Sequence, residues 1–261
     1  MAHNKSPEAG SQVLTRGLRV LTQIARMGEV GVRELARELE LPVTVVHRLV
    51  TSLAHQKYIE KSPESGKYKI GLQAFEVGRT YLRSARIEIC APPVLRKLVD
   101  SEKINAFLTV MRNLSAVYLI AIQDFGHYDI RIAPGSEVPL ATTAMGKVLL
   151  ADLTDSEILQ KLTEYSEQRF SSFDIGHVDK IMQEINEIRQ NGFCISEGGS
   201  FRGTVSIAAP VYNFTGRAIA AISLGRPTQL ENTISIEDMV AYAIEAAKDI
   251  STCLGYRLGG L

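Results

Sequence analysis

With 261 residues, 45% of them hydrophobic, and 29 basic side chains against 29 acidic ones, the chain is globular and long enough to form two hydrophobic cores. No apolar run approaches the roughly 20 residues that span a bilayer, and residues 1–12 lack the apolar centre of a signal peptide, so a cytoplasmic protein without membrane partners is expected. Neutrality conceals an asymmetry: residues 1–90 carry 14 Lys and Arg against 9 Asp and Glu, the remainder 15 against 20, so the front of the chain suits a polyanion and the rear does not.

In chain order, residues 1–10 are polar, contain Pro7 and Gly10, and are expected to be flexible. Residues 12–27 form a first helix that ends at Gly28, with Val13, Leu14, Leu18, Leu21, Ile24 and Ala25 as its expected buried set. In residues 32–39 the spacing of Val32, Leu35, Ala36 and Leu39 makes one apolar stripe, with Gly31 as N-cap. The turn Glu40-Leu41-Pro42 ends that helix and begins another, because proline tolerates a first helical turn but not a helix interior. On this next helix Val46, Leu49, Val50 and Leu53 share one face, and Thr44, His47, Arg48 and Thr51 share the opposite one. The second face is donor-rich and fits a major groove: arginine can bond guanine bidentately, and threonine can offer a hydroxyl or a methyl. An ordinary solvated helix would carry the same residues.

A hairpin follows, in which the turn-rich Ser62-Pro63-Glu64-Ser65-Gly66 separates two alternating runs. Tyr68 and Ile70 are expected to point inward, Lys67 and Lys69 outward, placed for phosphates. The same lysines would also protect a solvated sheet edge. Helix, turn, helix and basic hairpin together make a winged helix-turn-helix over residues 11–71. Residues 72–90, with Phe75, Val77, Tyr81, Leu82 and Ile87, read as a linker helix with enough exposed apolar surface to help a dimer form.

Beyond it, residues 91–261 change texture. Ala91-Pro92-Pro93 opens a helix over residues 94–102; residues 106–111 and 116–122 are apolar runs around Asn113-Leu114-Ser115, a hairpin; residues 128–133 read as a further strand ended by Pro134-Gly135. A helix is expected over residues 141–153, a capping box of Thr154 and Glu157 starts another, and residues 178–190 form a third that Asn191-Gly192 stops. Residues 193–196, 204–212 and 218–224 are strands, and Ser235 caps a last helix reaching about residue 254. Helices bracketing an antiparallel sheet make the rear half, and the chain as a whole, α+β.

Catalytic and metal chemistry find little support. Cys90, Cys194 and Cys253 lack CxxC spacing and read as structural thiols of a reducing compartment. His3, His47, His55, His127 and His177 are scattered without ligand-type neighbours, and Gly198-Gly199 with Gly203 lacks the strand-to-helix context of a phosphate loop. A thiol enzyme would have to use Cys194, with His177 and Glu197 nearby in sequence, but Phe193-Cys194-Ile195 is an apolar strand. No catalytic residue, metal site or cofactor is therefore assigned.

The order of elements and several strings resemble the IclR family of bacterial transcription regulators over nearly the whole chain. The strings are Leu41-Pro42 leading to Val46-His47-Arg48-Leu49, then Ala144-Met145-Gly146-Lys147-Val148-Leu149-Leu150-Ala151, then Gly192-Phe193 leading to Ile207-Ala208-Ala209-Pro210-Val211-Tyr212, Gly216 and Ala220-Ala221-Ile222-Ser223. The resemblance implies a GAF-like effector-binding and oligomerisation domain in residues 91–261, and homodimers or dimers of dimers on double-stranded, pseudo-palindromic operator DNA. It also implies a site for a small, acid-like organic effector, with the family's ligand-contacting positions falling on Ala144, Met145, Ser196, Ser206, Ser223 and Gly225. A helix N-terminus and serine hydroxyls suit such a ligand. The sequence departs from the family pattern where Ser196-Glu197-Gly198-Gly199 replaces an Asp and an acidic pair, where Gly225 replaces a serine, and where Arg226 replaces the glycine before Pro227. Arg202, in the glycine-rich loop, could pair with an acid or stand in solvent. A sensor acting through protein contacts instead of DNA is the alternative reading.

Overall fold

The computed structural model describes residues 11–84, 86–124, 132–167, 178–199, 203–228 and 234–257. The expected flexible segment 1–10, most of the expected strand 128–133, His127, His177 and Arg202 lie outside the described residues. The chain divides into two compact units, Met1–Ser84 and Ala85–Leu261.

In the first unit, helix α1 (Gln12–Met27) ends at Gly28, where φ is +78°. Helices α2 (Val32–Glu38) and α3 (Val43–His55) follow, then the hairpin of β1 (Ile59–Lys61) and β2 (Tyr68–Ile70), then α4 (Leu72–Ser84). The turn between α2 and α3 closes on Glu40 at φ +52°, with the Leu41 amide donating to the Ala36 carbonyl at 3.0 Å. Val20, Ile24, Val30, Leu35, Ala36, Leu39, Val46, Leu49, Val50 and Ile59 form the core. Each fully buried aliphatic side chain contributes about 2 kcal/mol, so packing, not local propensity, holds a helix as short as α2. The α1 face differs in part from expectation: Ile24 is buried as expected and Val20 is buried too, but Val13, Leu14, Leu18 and Ala25 are exposed. The apolar stripe of α1 is broad, and contact with α3 covers the part carrying Gly17, whose missing side chain brings the Leu49 methyl close.

In the second unit the expected linker helix is broken. Arg86 adopts a left-handed φ of +55°, and α5 (Ile87–Glu102) starts immediately after it, running through Pro92 and Pro93. Strands β3 (Asn105–Arg112), β4 (Ser115–Ile122) and β5 (Glu137–Pro139) precede helices α6 (Ala144–Ala151), α7 (Asp155–Glu167) and α8 (Val178–Asn191). Then come β6 (Cys194–Glu197), β7 (Thr204–Tyr212), β8 (Ala218–Pro227) and α9 (Ile236–Cys253). The strands form one six-stranded antiparallel sheet in the order β5-β4-β3-β8-β7-β6. One sheet face packs on α6 and α8 through Phe107, Tyr118, Met145, Leu149, Ile185, Cys194, Ala208 and Ala221; α5 and α9 also pack against strands of the sheet.

Capping chemistry places two of these helices as expected. The Thr154 hydroxyl accepts from the Glu157 amide at 3.3 Å while the Glu157 carboxylate accepts from the Thr154 amide at 2.9 Å, which holds that carboxyl below its ordinary range. The Ser235 hydroxyl accepts from the Asp238 amide at 3.0 Å. Helix α6 starts three residues later than expected, because Thr143 turns outward from helical geometry to cap it, accepting from the Gly146 amide at 3.2 Å. The cysteine expectation is corrected for two of the three residues: Cys90 and Cys253 are joined by a disulfide, and only Cys194 is a free, buried thiol.

Candidate functional site

On α3, Val46, Leu49 and Val50 are buried, so the opposite face stands in solvent: Thr44, His47, Arg48 and Thr51 are all exposed. The His47 and Arg48 side chains have no hydrogen-bond or ion-pair partner among the described residues and are free to bond elsewhere. The Thr51 hydroxyl donates to the His47 carbonyl at 2.8 Å, leaving a lone pair and a methyl to offer. Val43, which the spacing argument passed over, is 48% exposed at the start of this face; its i, i+4 relation to His47 was the available signal.

The wing hairpin orients as expected. Ile59 pairs with Ile70 and Lys61 with Tyr68, which turns Lys67 and Lys69 outward. Both are about half exposed and weakly paired, Lys67 at 4.0 Å from Glu34 and Lys69 at 3.4 Å from Glu60. Exposed pairs of this kind are worth about 0–1 kcal/mol, so a phosphate can displace either carboxylate. The wing loop is fastened by the Ser62 amide donating to the Lys67 carbonyl at 2.8 Å, and by the Ser65 hydroxyl donating to Glu29 at 3.0 Å.

In the second unit the strand register assembles residues far apart in sequence. Ser196 pairs with Ser206 and Ser206 with Gly225; in the adjacent row Cys194 pairs with Ala208, Ala208 with Ser223, and Ser223 with Phe107. Alternate strand residues share a face, so all of these lie on the side whose core includes Ala144, Met145, Ala208 and Phe107. The six transferred effector positions thus meet on one side of the sheet. Sequence spacing had missed Phe107, Thr109, Tyr118 and Cys194, which complete that face; the alternation Asn105, Phe107, Thr109 along β3 was the only signal.

The polar groups there are few. Ser223 is 1% exposed. The first two amides of α6, Ala144 and Met145, lack an acceptor among the described residues, whereas the third is taken by Thr143. Thr109 is satisfied, its hydroxyl donating to the Ala221 carbonyl at 3.3 Å. Phe107 and Tyr118 meet edge to face at 5.4 Å between ring centres, giving the face an aromatic wall.

Two departures from the family pattern acquire geometry. A Cβ at Gly225 would sit 3.7 Å from the Ser206 oxygen and 4.0 Å from the Phe107 ring, ordinary contact distances, so the glycine leaves room beside Ser206 that a side chain could fill. A Cβ at Gly199 would fall 2.3 Å from the Ser196 oxygen and 2.6 Å from the Thr142 carbonyl, so only glycine lets this turn lie against the loop before α6. Arg226 is out of phase with Ser223 and Gly225 along β8 and so points to the other sheet face, where it donates to the Pro227 carbonyl at 3.0 Å.

Cys194 is not arranged as a nucleophile. Burial pushes its thiol up to about 11, with Glu184 and Glu187 adding to the shift and Lys147 opposing it, so it stays protonated near neutrality. Glu197 stands on the opposite face of β6. Among the described residues no group of three or more His, Cys, Asp or Glu is placed to hold a metal ion, and no helix is long and apolar enough to cross a membrane.

Residues 13–63 match the family model described as the IclR helix-turn-helix domain, and residues 79–252 match the one described as the bacterial transcriptional regulator IclR C-terminal. The chain belongs to the IclR family. It is 28% identical over 256 residues to the HTH-type transcriptional repressor AllR of Klebsiella pneumoniae, covering 97% of this chain and 93% of that one. It is 26% identical to the transcriptional repressor IclR of Escherichia coli, covering 96% and 93%. An IclR family transcriptional regulator from Brucella abortus superposes with a TM-score of 0.76 at 25% identity over 97% of this chain and 96% of that one. An IclR homolog from Microbacterium hydrocarbonoxydans, solved in complex with 4-hydroxybenzoate, shares the fold with a TM-score of 0.80 at 20% identity, over 93% and 99%. This IclR-family protein is a DNA-binding helix-turn-helix transcriptional regulator with an α+β fold.

Proposed function

We propose that the protein works as a homodimer or dimer of dimers that presents two copies of the Thr44, His47, Arg48, Thr51 face to a pseudo-palindromic operator, while Lys67 and Lys69 hold phosphates. A two-fold protein calls for two-fold DNA. Support for self-association comes from the first unit, where Val13, Leu14 and Leu18 on α1 and Leu72, Phe75 and Tyr81 on α4 are large apolar side chains left exposed. The protein is read as cytoplasmic, without catalytic residues, metal or cofactor.

A small organic acid bound on the α6 side of the sheet modulates operator affinity in this reading. The observation that carries it is the convergence of the buried Ser223 side chain with the Ala144 and Met145 amides at the start of α6 on one packed face. The amides attract a carboxylate and the serine donates or accepts. Ser196, Ser206 and the space at Gly225 supply the rest of the lining, beside the Phe107 and Tyr118 rings. An aromatic acid fits that combination, as in the fold relative solved with 4-hydroxybenzoate. Binding there biases the placement of the DNA-reading units through a coupling of about 1–3 kcal/mol.

Two measurements test the reading. Thermal shift against a panel of aromatic, sugar and short-chain acids should raise the melting temperature for at least one class, since a ligand held only by the native state stabilises it; a flat panel removes the acid site. Gel shift on genomic fragments across a salt series should give specific binding that weakens steeply with salt. Absence of any shift at low salt would favour a sensor acting through protein contacts.

A further inference from the structure

Two observations outside both sites meet at the start of α5. The first is the disulfide between Cys90 and Cys253, whose Cα atoms lie 5.7 Å apart across a sequence separation of 163 residues. Cys90 is buried in the first turn of α5, and Cys253 is the exposed last residue of α9. The second is the weakness of the backbone around Cys90. Pro92 and Pro93 carry no amide hydrogen, so the carbonyls of Glu88 and Ile89 receive no helical bond from four residues on. Before them, Arg86 in left-handed geometry separates α5 from α4, and the boundary between the two compact units falls at Ser84 and Ala85.

The two ends of the cross-link are unequal. The end of α9 is well fastened: the Tyr212 amide donates to the Ser251 hydroxyl at 2.9 Å, and Tyr212 stacks on Tyr256 with ring centres 5.1 Å apart. Residues 86–91 are held by the Ile89 and Cys90 amides donating to the Arg86 carbonyl at 3.1 Å, by burial of Ile87, Cys90 and Ala91, and by the sulfur bridge. The bridge therefore ties a helix start that lacks two of its helical bonds, the first element of the second unit, to a firm anchor.

We propose that Cys90–Cys253 is a reversible thiol–disulfide exchange site through which dithiol reductants and disulfide oxidants set operator affinity. A thiolate of a dithiol reductant attacks the Sγ of Cys253, the exposed residue of the pair, forming a mixed disulfide there and releasing Cys90 as a thiolate that takes up a proton. The reductant's second thiol then displaces Cys253 as a thiol and closes the reductant's own disulfide. Two electrons and two protons pass to the protein, and a disulfide oxidant reverses the steps. A reducing compartment keeps such pairs cycling, whereas a permanent brace belongs to an oxidising one. Reduction removes the covalent tie between the start of α5 and the end of α9.

The test uses the full-length protein and a duplex that the protein has selected from a random-sequence pool. Dithiothreitol at millimolar concentration should expose two additional titratable thiols under native conditions, increase deuterium uptake in residues 86–91, and change the Kd for the duplex at least threefold. Cys253→Ser, an exposed position that leaves the core intact, should show the reduced protein's affinity and uptake and should no longer respond to dithiothreitol. The proposal is overturned if the native protein yields no new thiols, because the bond is then closed to exchange. It is equally overturned if two thiols appear with Kd unchanged, because the bridge is then a structural brace alone. Loss of duplex binding in both redox states would instead overturn the DNA-binding reading.

Discussion

The two units carry their candidate functional residues differently, outside the core in the first and against it in the second. In the first, the candidate DNA-reading groups are exposed side chains on one turn-to-turn row of α3, with the core behind them. In the second, the candidate effector groups lie on an inward sheet face and at the start of α6, drawn from α6, β6, β7 and β8. The contrast follows from the size of what is bound. A duplex cannot enter a protein, so the protein must project into its groove, whereas a small molecule gains most from being surrounded.

The largest effects should come from glycines whose side-chain space is occupied by backbone, and they should separate the units. A Cβ at Gly146 would fall 2.2 Å from the Leu140 carbonyl, and one at Gly71 2.5 Å from the Lys57 carbonyl. Gly146→Ala should destabilise the effector unit by about 3 kcal/mol and leave the helix-turn-helix fold unchanged by NMR; Gly71→Ala should do the reverse. If either substitution melts both units together, the division into two cores is wrong.

Next in size is Arg48→Ala, expected to cost roughly 1–3 kcal/mol in specific binding and much less in non-specific binding. Equal losses on specific and random duplexes would reassign Arg48 to a phosphate. Ser223→Ala should weaken the binding of an acid such as 4-hydroxybenzoate about tenfold, judged by thermal shift, with operator affinity in the absence of acid unchanged. An unchanged shift would place the acid elsewhere. Lys67→Ala should weaken all duplexes alike and lower the salt slope by about one; a sequence-dependent loss would make the wing a reader of bases.

The smallest effect concerns Cys194. Its thiol titrates near 11 in the fold against an ordinary 9.0, so the unfolded chain loses that proton first as pH rises. Its contribution to stability is complete below pH 9 and is lost between about 9 and 11. Melting temperatures should therefore fall across that window by less in Cys194→Ser than in the parent. Iodoacetamide should leave native Cys194 unmodified at pH 8, and rapid modification there would return it to candidacy as a reactive thiol.

Legibility in the sequence followed the range of each interaction. The polar face of α3 and the capping box at Thr154 were legible because helical spacing and capping act within four residues. The α1 face was not, because Val13, Leu14 and Leu18 have the same helical spacing as the residues that are buried, and only contact with α3 separates the two sets. The effector face was reached through family resemblance, not through spacing. Ser223 stands opposite Phe107 in the sheet, 116 positions earlier in the chain. No local pattern records that register.

The sequence by itself determined the order of the helices, which helix offers donors to solvent, that the wing is basic, and to which family the chain belongs. Those properties arise from neighbours along the chain, where backbone geometry makes spacing equivalent to direction. Tertiary structure alone decided that Cys90 meets Cys253, that Ser223 is buried, and that Arg226 turns away from the candidate effector face. Each depends on strand register or helix packing between distant segments, and those are selected by the joint burial of the whole core.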